Sequence, residues 1–332
     1  MSAQNPKSTV LDVRSLRTTF HTDRGPLTAV DGVSFQVHRG EILGLVGESG
    51  CGKSVTSMSI MRLYDEKYTA SISGEVLLEG RNILHIPYRQ MQRERGKSMA
   101  MIFQDALSSL NPVLRISEQI MEPLRIHRHM GREEARQEAI RMLGLVGIPS
   151  PQERIDCYPH ELSGGQRQRV MIAIALSCQP KLLIADEPTT ALDVTIQAQI
   201  LDLILELNEK MDMGIILITH DLAVVAQVCH RVAVMYLGQI VEEADVEDLF
   251  DHPSHPYTRG LLQSIPHLDG GHRGELHQIE GTVPLLHQIP EGCRFAPRCP
   301  LATDRCRQGT VPLQDLGGGH MVRCLCPQEG GL

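Results

Sequence analysis

Apolar and polar residues alternate from residue 10 to 38, interrupted at Asp23-Arg24-Gly25-Pro26. A period of two on either side of a turn-forming cluster predicts antiparallel strands joined by a turn. Glu41 to Gly47 (EILGLVG) is a short apolar run opening into a glycine-rich loop. A buried strand, the loop and a helix from Lys53 are expected there in that order. Met99 to Gln104 (MAMIFQ) has the composition of another buried strand, ending at Gln104. Helical spacing runs over 114–148, with charge-rich Gly131 to Gln137 between apolar faces. A helix over Gly164 to Ser177 can start from Ser163, whose hydroxyl suits the free amides of a first turn. Lys181 to Asp186 and Gly214 to Thr219 read as short buried strands separated by a helix over 194–210. Strands alternating with helices predict an α/β chain with a largely parallel sheet. No internal repeat is evident. After Asp251 the pattern gives way to His, Pro, Gly and Cys, and Asp269 to Gly274 reads as a linker or loop. A boundary is expected near residue 255, dividing residues 1–255 from 256–332.

Composition leaves this picture standing and removes several functions. Hydrophobic residues make up 42% and charged residues 22% of 332, as in a soluble globular protein. Trp is absent, aromatics are 3% and the net charge is −8. Neither base stacking nor phosphate-backbone binding is favoured by those values, so no nucleic-acid partner is expected. Met1 to Val10 is polar, which predicts no secretory signal. No apolar run reaches the ~20 residues of a membrane span, so membrane contact is expected through partners. Of nine cysteines, Cys293, Cys299, Cys306, Cys324 and Cys326 fall in the last 40 residues. In a chain without a signal, such crowding points to a metal site rather than disulfides.

The chemistry concentrates at three places. Gly47, Gly52, Lys53 and Ser54 match G-x4-G-K-S after a buried strand and before a helix. Glycines let backbone amides converge on phosphate oxygens, Lys53 suits the β- and γ-phosphates, and the Ser54 hydroxyl suits Mg²⁺. Asp186 ends the apolar run Leu182-Leu183-Ile184-Ala185, where a carboxylate can hold Mg²⁺; Glu187 beside it can polarise an attacking water. Leu162-Ser163-Gly164-Gly165-Gln166 offers a hydroxyl and amides at a helix N-terminus, an anion receptor that is equally a helix cap.

Together these motifs resemble the ATP-binding-cassette (ABC) family, whose signature is LSGGQ. The resemblance implies a P-loop ATPase with a RecA-like core, an antiparallel β-subdomain and a helical subdomain over about 107–177, followed by a Cys-rich C-terminal extension. It implies that Ser49, Gly50, Cys51 and Val55 line the phosphate loop, with Cys51 serving through its backbone. It assigns Gln104 to Mg²⁺ or the attacking water, His220 to the γ-phosphate, and Asp193, in Ala191-Leu192-Asp193, to shaping the site across a dimer. Phe20 takes the place of the aromatic that stacks on adenine, with Phe35 as competitor. Ser163, Gly164, Gly165 and Gln166 are placed by the resemblance against the ATP of a second subunit. No obligatory motif is missing, so hydrolysis is expected.

Two non-transport cassette classes fit poorly. Chromosome-maintenance cassettes separate loop and signature by long coiled coils, whereas Gly47 and Leu162 lie 115 positions apart. Translation-factor cassettes come in pairs, and one is present here. His255-Pro256-Tyr257-Thr258-Arg259, Ser264-Ile265-Pro266, Gly281 to Leu285 (GTVPL) and Gly292 to Pro300 (GCRFAPRCP) resemble the C-terminal extension of bacterial di- and oligopeptide importer ATPases. That subfamily also includes nickel importers. The resemblance implies a second ATPase subunit, a distinct paralogue by expectation, two membrane permeases and an extracytoplasmic peptide-binding protein. It places the chain peripherally on the cytoplasmic face of the inner membrane. Other classes to weigh are a nucleic-acid-linked ABC ATPase and a redox sensor.

Cys293, Cys299, Cys306 and Cys324 are spaced C-x5-C-x6-C-x17-C. Four thiolates suit a [4Fe–4S] cluster or Zn²⁺. The spacing lacks the C-x2-C knuckle of many structural zinc sites and leans toward iron–sulfur, which some members of the resembled family carry. Zinc and metal-free thiols stay open, with Cys326 as a spare ligand.

Overall fold

The computed structural model describes residues 8–66, 68–105, 109–190, 193–265 and 278–327. The linker expected at 269–274, and Ala191, Leu192 and Pro266 of the motifs above, lie outside that set. β1 (Thr9–Thr22) and β2 (Gly25–His38) form the expected hairpin, with the Thr22 hydroxyl donating to Gly25 O at 2.7 Å across the turn. β3 (Ile42–Val46) is buried throughout and leads through the glycine-rich loop into α1 (Lys53–Ile60). β4 (Ala70–Leu78), β5 (Arg81–Asn82) and α2 (Tyr88–Glu94) follow without a strong periodic signal. β6 (Met99–Ile102) is shorter than expected, so Gln104 lies beyond the strand rather than at its end. The helical stretch divides into α3 (Ile116–His127) and α4 (Arg132–Leu145). Extended Gly131 breaks it, and the charged segment opens α4, with Glu133 and Glu134 in the first turn where the helix dipole favours anions. Then come α5 (Pro151–Arg154), α6 (Gly164–Leu176), β7 (Leu182–Asp186), α7 (Val194–Met211), β8 (Gly214–Thr219) and α8 (Leu222–Val228). β9 (Arg231–Tyr236), β10 (Gln239–Asp245), α9 (Val246–Asp251), α10 (Pro256–Gln263), β11 (Gln314–Asp315) and β12 (Met321–Val322) follow, and short 3-10 turns stand at Pro159–Glu161 and Asp304–Arg307.

The chain divides into two compact units, with borders inside β1, β2 and β8. The signature unit comprises Met1–Val10, Val37–Glu41 and His85–Leu217. Its strands run in the order β8-β7-β6, with β6 parallel to β7 from Met99↔Leu182 to Ile102↔Ala185. Strands buried on both faces read as unbroken apolar runs, which is why β7 and β8 were recognisable from sequence. Helices α3, α4 and α6 pack together through stripes spaced three and four apart. Ile116, Ile120 and Leu124 form one stripe, Ala135, Ala139 and Met142 the next, and Val170, Ala173 and Leu176 the third.

The phosphate-loop unit comprises Leu11–Gln36, Ile42–Leu84 and Ile218–Leu332. One of its sheets has the order β2-β1-β4-β5, with β1 antiparallel to β4 from Leu11↔Leu78 to Phe20↔Ala70. In the other, β3 runs parallel to β9, β10 returns antiparallel, and β12 then β11 are added from the tail. Val46, Val232, Val234 and Tyr236 share one core with Tyr257, Leu262 and Phe295 of the tail. The C-terminal segment is thus packed into the unit that carries the phosphate loop. No helix among the described residues is long and apolar enough to cross a membrane.

Candidate active site

In the phosphate-loop unit the chain leaves β3 at Gly47 with φ +151°, where a Cβ would lie 2.2 Å from Met235 O. No side chain can occupy that position without moving β9. The loop closes at Gly52, in left-handed conformation at the N-cap of α1, and no side chain caps that helix. Ser49 and Gly50 are exposed on the loop, while Ser54 and Val55 are half-buried in the first turn. Lys53 is buried, and its Nζ donates to Gly47 O at 2.7 Å and Glu48 O at 3.1 Å. The ammonium is therefore folded onto the loop's own carbonyls. Burial pushes the Cys51 thiol up, which fits a small filler and not a nucleophile.

Two residues of the tail motifs reach this loop, a contact that no local pattern signals. The Glu48 N–H donates to Tyr257 Oη at 2.8 Å, and Arg298 grips the Glu48 carboxylate at 2.7 and 3.1 Å. In the same unit His220 is exposed just beyond β8, and Asp221 caps α8 through the amides of Ala223 and Val224. Phe20 is half-buried and meets Tyr64 edge-on at 5.0 Å. Phe35 is buried in the core, which removes it as competitor for a stacking role.

In the signature unit Asp186 ends β7, buried. Glu187 follows with φ +46°, a left-handed conformation that costs a non-glycine residue on the order of 1 kcal/mol. Its carboxylate accepts from Gln104 Nε2 at 2.8 Å and from Thr190 Oγ1 at 2.9 Å. Gln104 and Glu187, far apart in sequence, are thus brought together, and Thr190, to which the sequence assigned no role, joins them. Ser163 caps α6: its Oγ accepts the Gln166 N–H at 3.3 Å, and Gln166 Oε1 accepts the Ser163 N–H at 3.1 Å. This reciprocal capping box confirms the cap reading of the serine. A Cβ on Gly165 would lie 2.8 Å from Ile196 Cγ2 of α7. Asp193 caps α7, accepting the Ile196 N–H at 3.0 Å.

The clustered thiols gather as well. Cys293, Cys299, Cys306, Cys324 and Cys326 line one cavity of about 20 Å³ together with His255 and Phe295. Burial raises the Cys293 and Cys299 thiols and pushes Cys324 up to about 11. Burial also acts upward on Cys306, but hydrogen bonds from Thr303 and the charges of Arg307 and Arg305 outweigh it and leave that thiol below its ordinary value. Among the described residues, no three His, Cys, Asp or Glu side chains are grouped so as to hold a metal ion as they stand. The expected four-cysteine cage of Cys293, Cys299, Cys306 and Cys324 is therefore not preassembled. Neutral thiols pack as small apolar groups, and nothing in their packing draws the sulfurs to ligand distance. The donor set still fits a soft metal. His255 Nδ1 accepts the Tyr257 N–H at 3.1 Å, which puts its proton on Nε2, and that buried atom has no partner.

Comparison with known proteins agrees with these features. Residues 30–190 match the ABC transporter family, and residues 241–306 match the C-terminal region of oligopeptide/dipeptide transporters. The chain belongs to the ABC transporter family. It is 51% identical to the oligopeptide transport ATP-binding protein AppD of Bacillus subtilis, over 98% of both chains. Identity to the dipeptide transport ATP-binding protein DppD of Haemophilus influenzae is 49%, over 96% of both. A solved structure of the ATP-binding cassette MJ0796, dimeric and bound to ADP and Pi after hydrolysis, superposes with TM-score 0.64 at 27% identity. That match covers 71% of this chain and 98% of the other. The α/β fold is thus that of an ABC P-loop ATPase.

Proposed function

We propose that the chain is the ATP-hydrolysing subunit of an importer that carries di- or oligopeptides across the inner membrane. One observation carries this: a complete set of cassette motifs is joined to a tail matched by the oligopeptide/dipeptide transporter family. Relatives aligned over nearly the whole length are named for peptide transport. Residues 1–255 serve as the cassette, with a helical subdomain over about 107–177, and residues 256–332 as its extension.

Each site residue has a role on this reading. The amides from Gly47 to Val55 cradle the phosphates of ATP, Lys53 neutralises the β- and γ-oxygens, and Phe20 stacks on adenine. Ser54, Asp186 and Gln104 hold Mg²⁺. Glu187 orients and deprotonates the attacking water, and His220 contacts the γ-phosphate. Ser163, Gly164, Gly165, Gln166 and Asp193 act on the ATP of a second, paralogous ATPase subunit. ATP favours the closed pair because its γ-phosphate contacts both chains, and closure drives two permease subunits fed by a peptide-binding protein. The chain works peripherally on the cytoplasmic face. Glu187→Gln is the test. It is expected to bind Mg-ATP normally and to lower turnover by about 100-fold or more. Near-normal turnover in that variant removes Glu187 as the base.

For the thiol cavity we read a [4Fe–4S] centre held by Cys293, Cys299, Cys306 and Cys324, with Zn²⁺ as the alternative. Soft donors and the unpartnered His255 Nε2–H, suited to a sulfur acceptor, support a metal–thiolate centre. A cavity of about 20 Å³ has to widen for four irons; Zn²⁺ asks for less. Iron and sulfide near four per chain after anaerobic purification supports the cluster. Stoichiometric zinc without iron overturns it.

A further inference from the structure

Glu48 is held at every polar group it has. Its N–H donates to Tyr257 Oη at 2.8 Å. Its carbonyl accepts from Lys53 Nζ at 3.1 Å and from the Cys51 N–H at 3.3 Å. Its carboxylate takes both terminal nitrogens of Arg298. The clamp is itself anchored. Tyr257 is fully buried in the first turn of α10. Arg298 donates to Glu280 O at 3.0 Å and Ile279 O at 3.3 Å, and its guanidinium lies 5.9 Å from the Tyr236 ring centroid. Its side chain is 5% exposed and that of Glu48 is 29% exposed, so water reaches the pair only from the Glu48 side.

Two physical consequences follow. A loop that binds phosphate needs its backbone fixed before the anion arrives. Lys53 must exchange Gly47 O and Glu48 O for phosphate oxygens, and once it leaves, Glu48 is still held by the Cys51 N–H on its carbonyl, by Tyr257 on its N–H and by Arg298 on its carboxylate. Second, Glu48 puts a carboxylate next to Gly47 in a loop meant for a polyanion. The bidentate guanidinium cancels that charge where it sits.

We propose that Tyr257 and Arg298, both from the C-terminal extension, are positioning residues that set the affinity of the phosphate loop for Mg-ATP through Glu48. This rests on reading residues 47–54 as the ATP loop. The test is equilibrium binding of Mg-ATP to the full chain, with steady-state ATPase and thermal unfolding measured on the same variants. If the wild-type chain binds no Mg-ATP, the reading of the loop fails; the clamp is judged against wild-type binding. Arg298→Ala is expected to weaken binding about tenfold, because an uncompensated carboxylate then faces the nucleotide. Arg298→Lys keeps the charge without the fork and falls between. Tyr257→Phe loses only the oxygen and costs about threefold in binding, with turnover at saturating ATP within about twofold. In a Glu48→Gln background, Arg298→Ala should cost no more than about twofold, since the charge it cancels is gone. A purely structural role would lower the thermal midpoint and leave affinity in the surviving folded fraction unchanged. Wild-type affinity in Arg298→Ala and Tyr257→Phe overturns the proposal, as does an undiminished tenfold loss in the Glu48→Gln background. Should Arg298→Ala not fold, Arg298→Lys and Tyr257→Phe decide, and wild-type affinity in both overturns it.

Discussion

The chain presents two helix N-termini assigned to phosphate, and they are finished in opposite ways. At α1 the N-cap is Gly52 in left-handed conformation, and no side chain caps the helix. At α6 the N-cap is Ser163, locked with Gln166 in a capping box. The first is shaped from outside itself: Met235 O crowds Gly47, and Tyr257 and Arg298 hold Glu48. The second is closed by its own residues. A helix end that binds the chain's own nucleotide keeps its dipole and amides for the anion. On the proposed reading, a helix end that serves another chain's nucleotide satisfies itself meanwhile and would trade its cap for the phosphate on assembly. The difference teaches that a helix N-terminus can be left open by its own sequence or closed by it, and the proposed roles give each finish a reason.

The sharpest way to break the comparison is to strike the α1 side alone. Lys53→Ala should reduce ATP turnover by on the order of a hundredfold or more, through loss of the cation at the developing charge. The capping box stays intact, and steady-state kinetics with nucleotide binding checks both halves. Acid provides a milder strike on the same side. Burial holds His255 down to about 4, against an ordinary 6.5, so it is neutral in the fold. The unfolded chain takes up that proton first, so stability present above about 6.5 is lost as pH falls toward 4, by up to about 3 kcal/mol. His320 does not oppose this. Its hydrogen bond to Glu242 raises its pKa, so its contribution is complete below its ordinary value and is lost only as pH rises through the raised one. Protonation of His255 at Nδ1 ends its bond to the Tyr257 N–H and so loosens the residue that holds Glu48. Chemical denaturation between pH 7 and 4.5 should show this slope, and His255→Asn should flatten it.

The same contrast explains what could be read in advance. The α6 cap was legible because Ser163 and Gln166 lie three apart and obey a local rule. The β1–β2 hairpin, β3, β7, β8 and the phosphate loop were legible for the same reason. The Glu48 clamp was not: Tyr257 and Arg298 stand in tail motifs, but nothing in those motifs points to Glu48, 250 positions before Arg298. Thr190 is silent because a threonine in the turn that follows two acids announces no role of its own. The β9–β10 hairpin hides because its turn is Leu237-Gly238, with φ +43° and +81°. A leucine stands where Asn, Asp or Gly would have announced the turn. The crowding of cysteines pointed to a metal site; the sulfurs do line one cavity, but among the described residues they stop short of a cage, which spacing could not say.

Gly165 sharpens the comparison within the signature unit. Its missing side chain has a packing reason: a Cβ would meet Ile196 Cγ2 at 2.8 Å. Gly165→Ala should destabilise the fold by about 1–2 kcal/mol through overpacking. Adding Ile196→Ala makes room and should return part of that loss in urea unfolding. If Gly165→Ala alone is as stable as wild type, the glycine is kept for the anion and not for α7.

The smallest expected effect on stability is the most telling about function. Ser163→Ala removes the acceptor for the Gln166 N–H and should cost about 1 kcal/mol in the isolated chain, the usual worth of a serine cap. Mg-ATP binding to that chain should not change if, as proposed, Ser163 serves the nucleotide of a second subunit. Turnover in the assembled transporter should fall by at least tenfold, far more than 1 kcal/mol of local stability accounts for in a protein that stays folded. Ser163→Asp separates the two roles further. Aspartate caps a helix as well as serine does, but it sets a negative charge where the γ-phosphate must arrive. Normal stability with abolished turnover would show that the self-capped end gives up its cap to another chain's ATP. Normal turnover in Ser163→Asp would leave the capping box as the whole purpose of the serine.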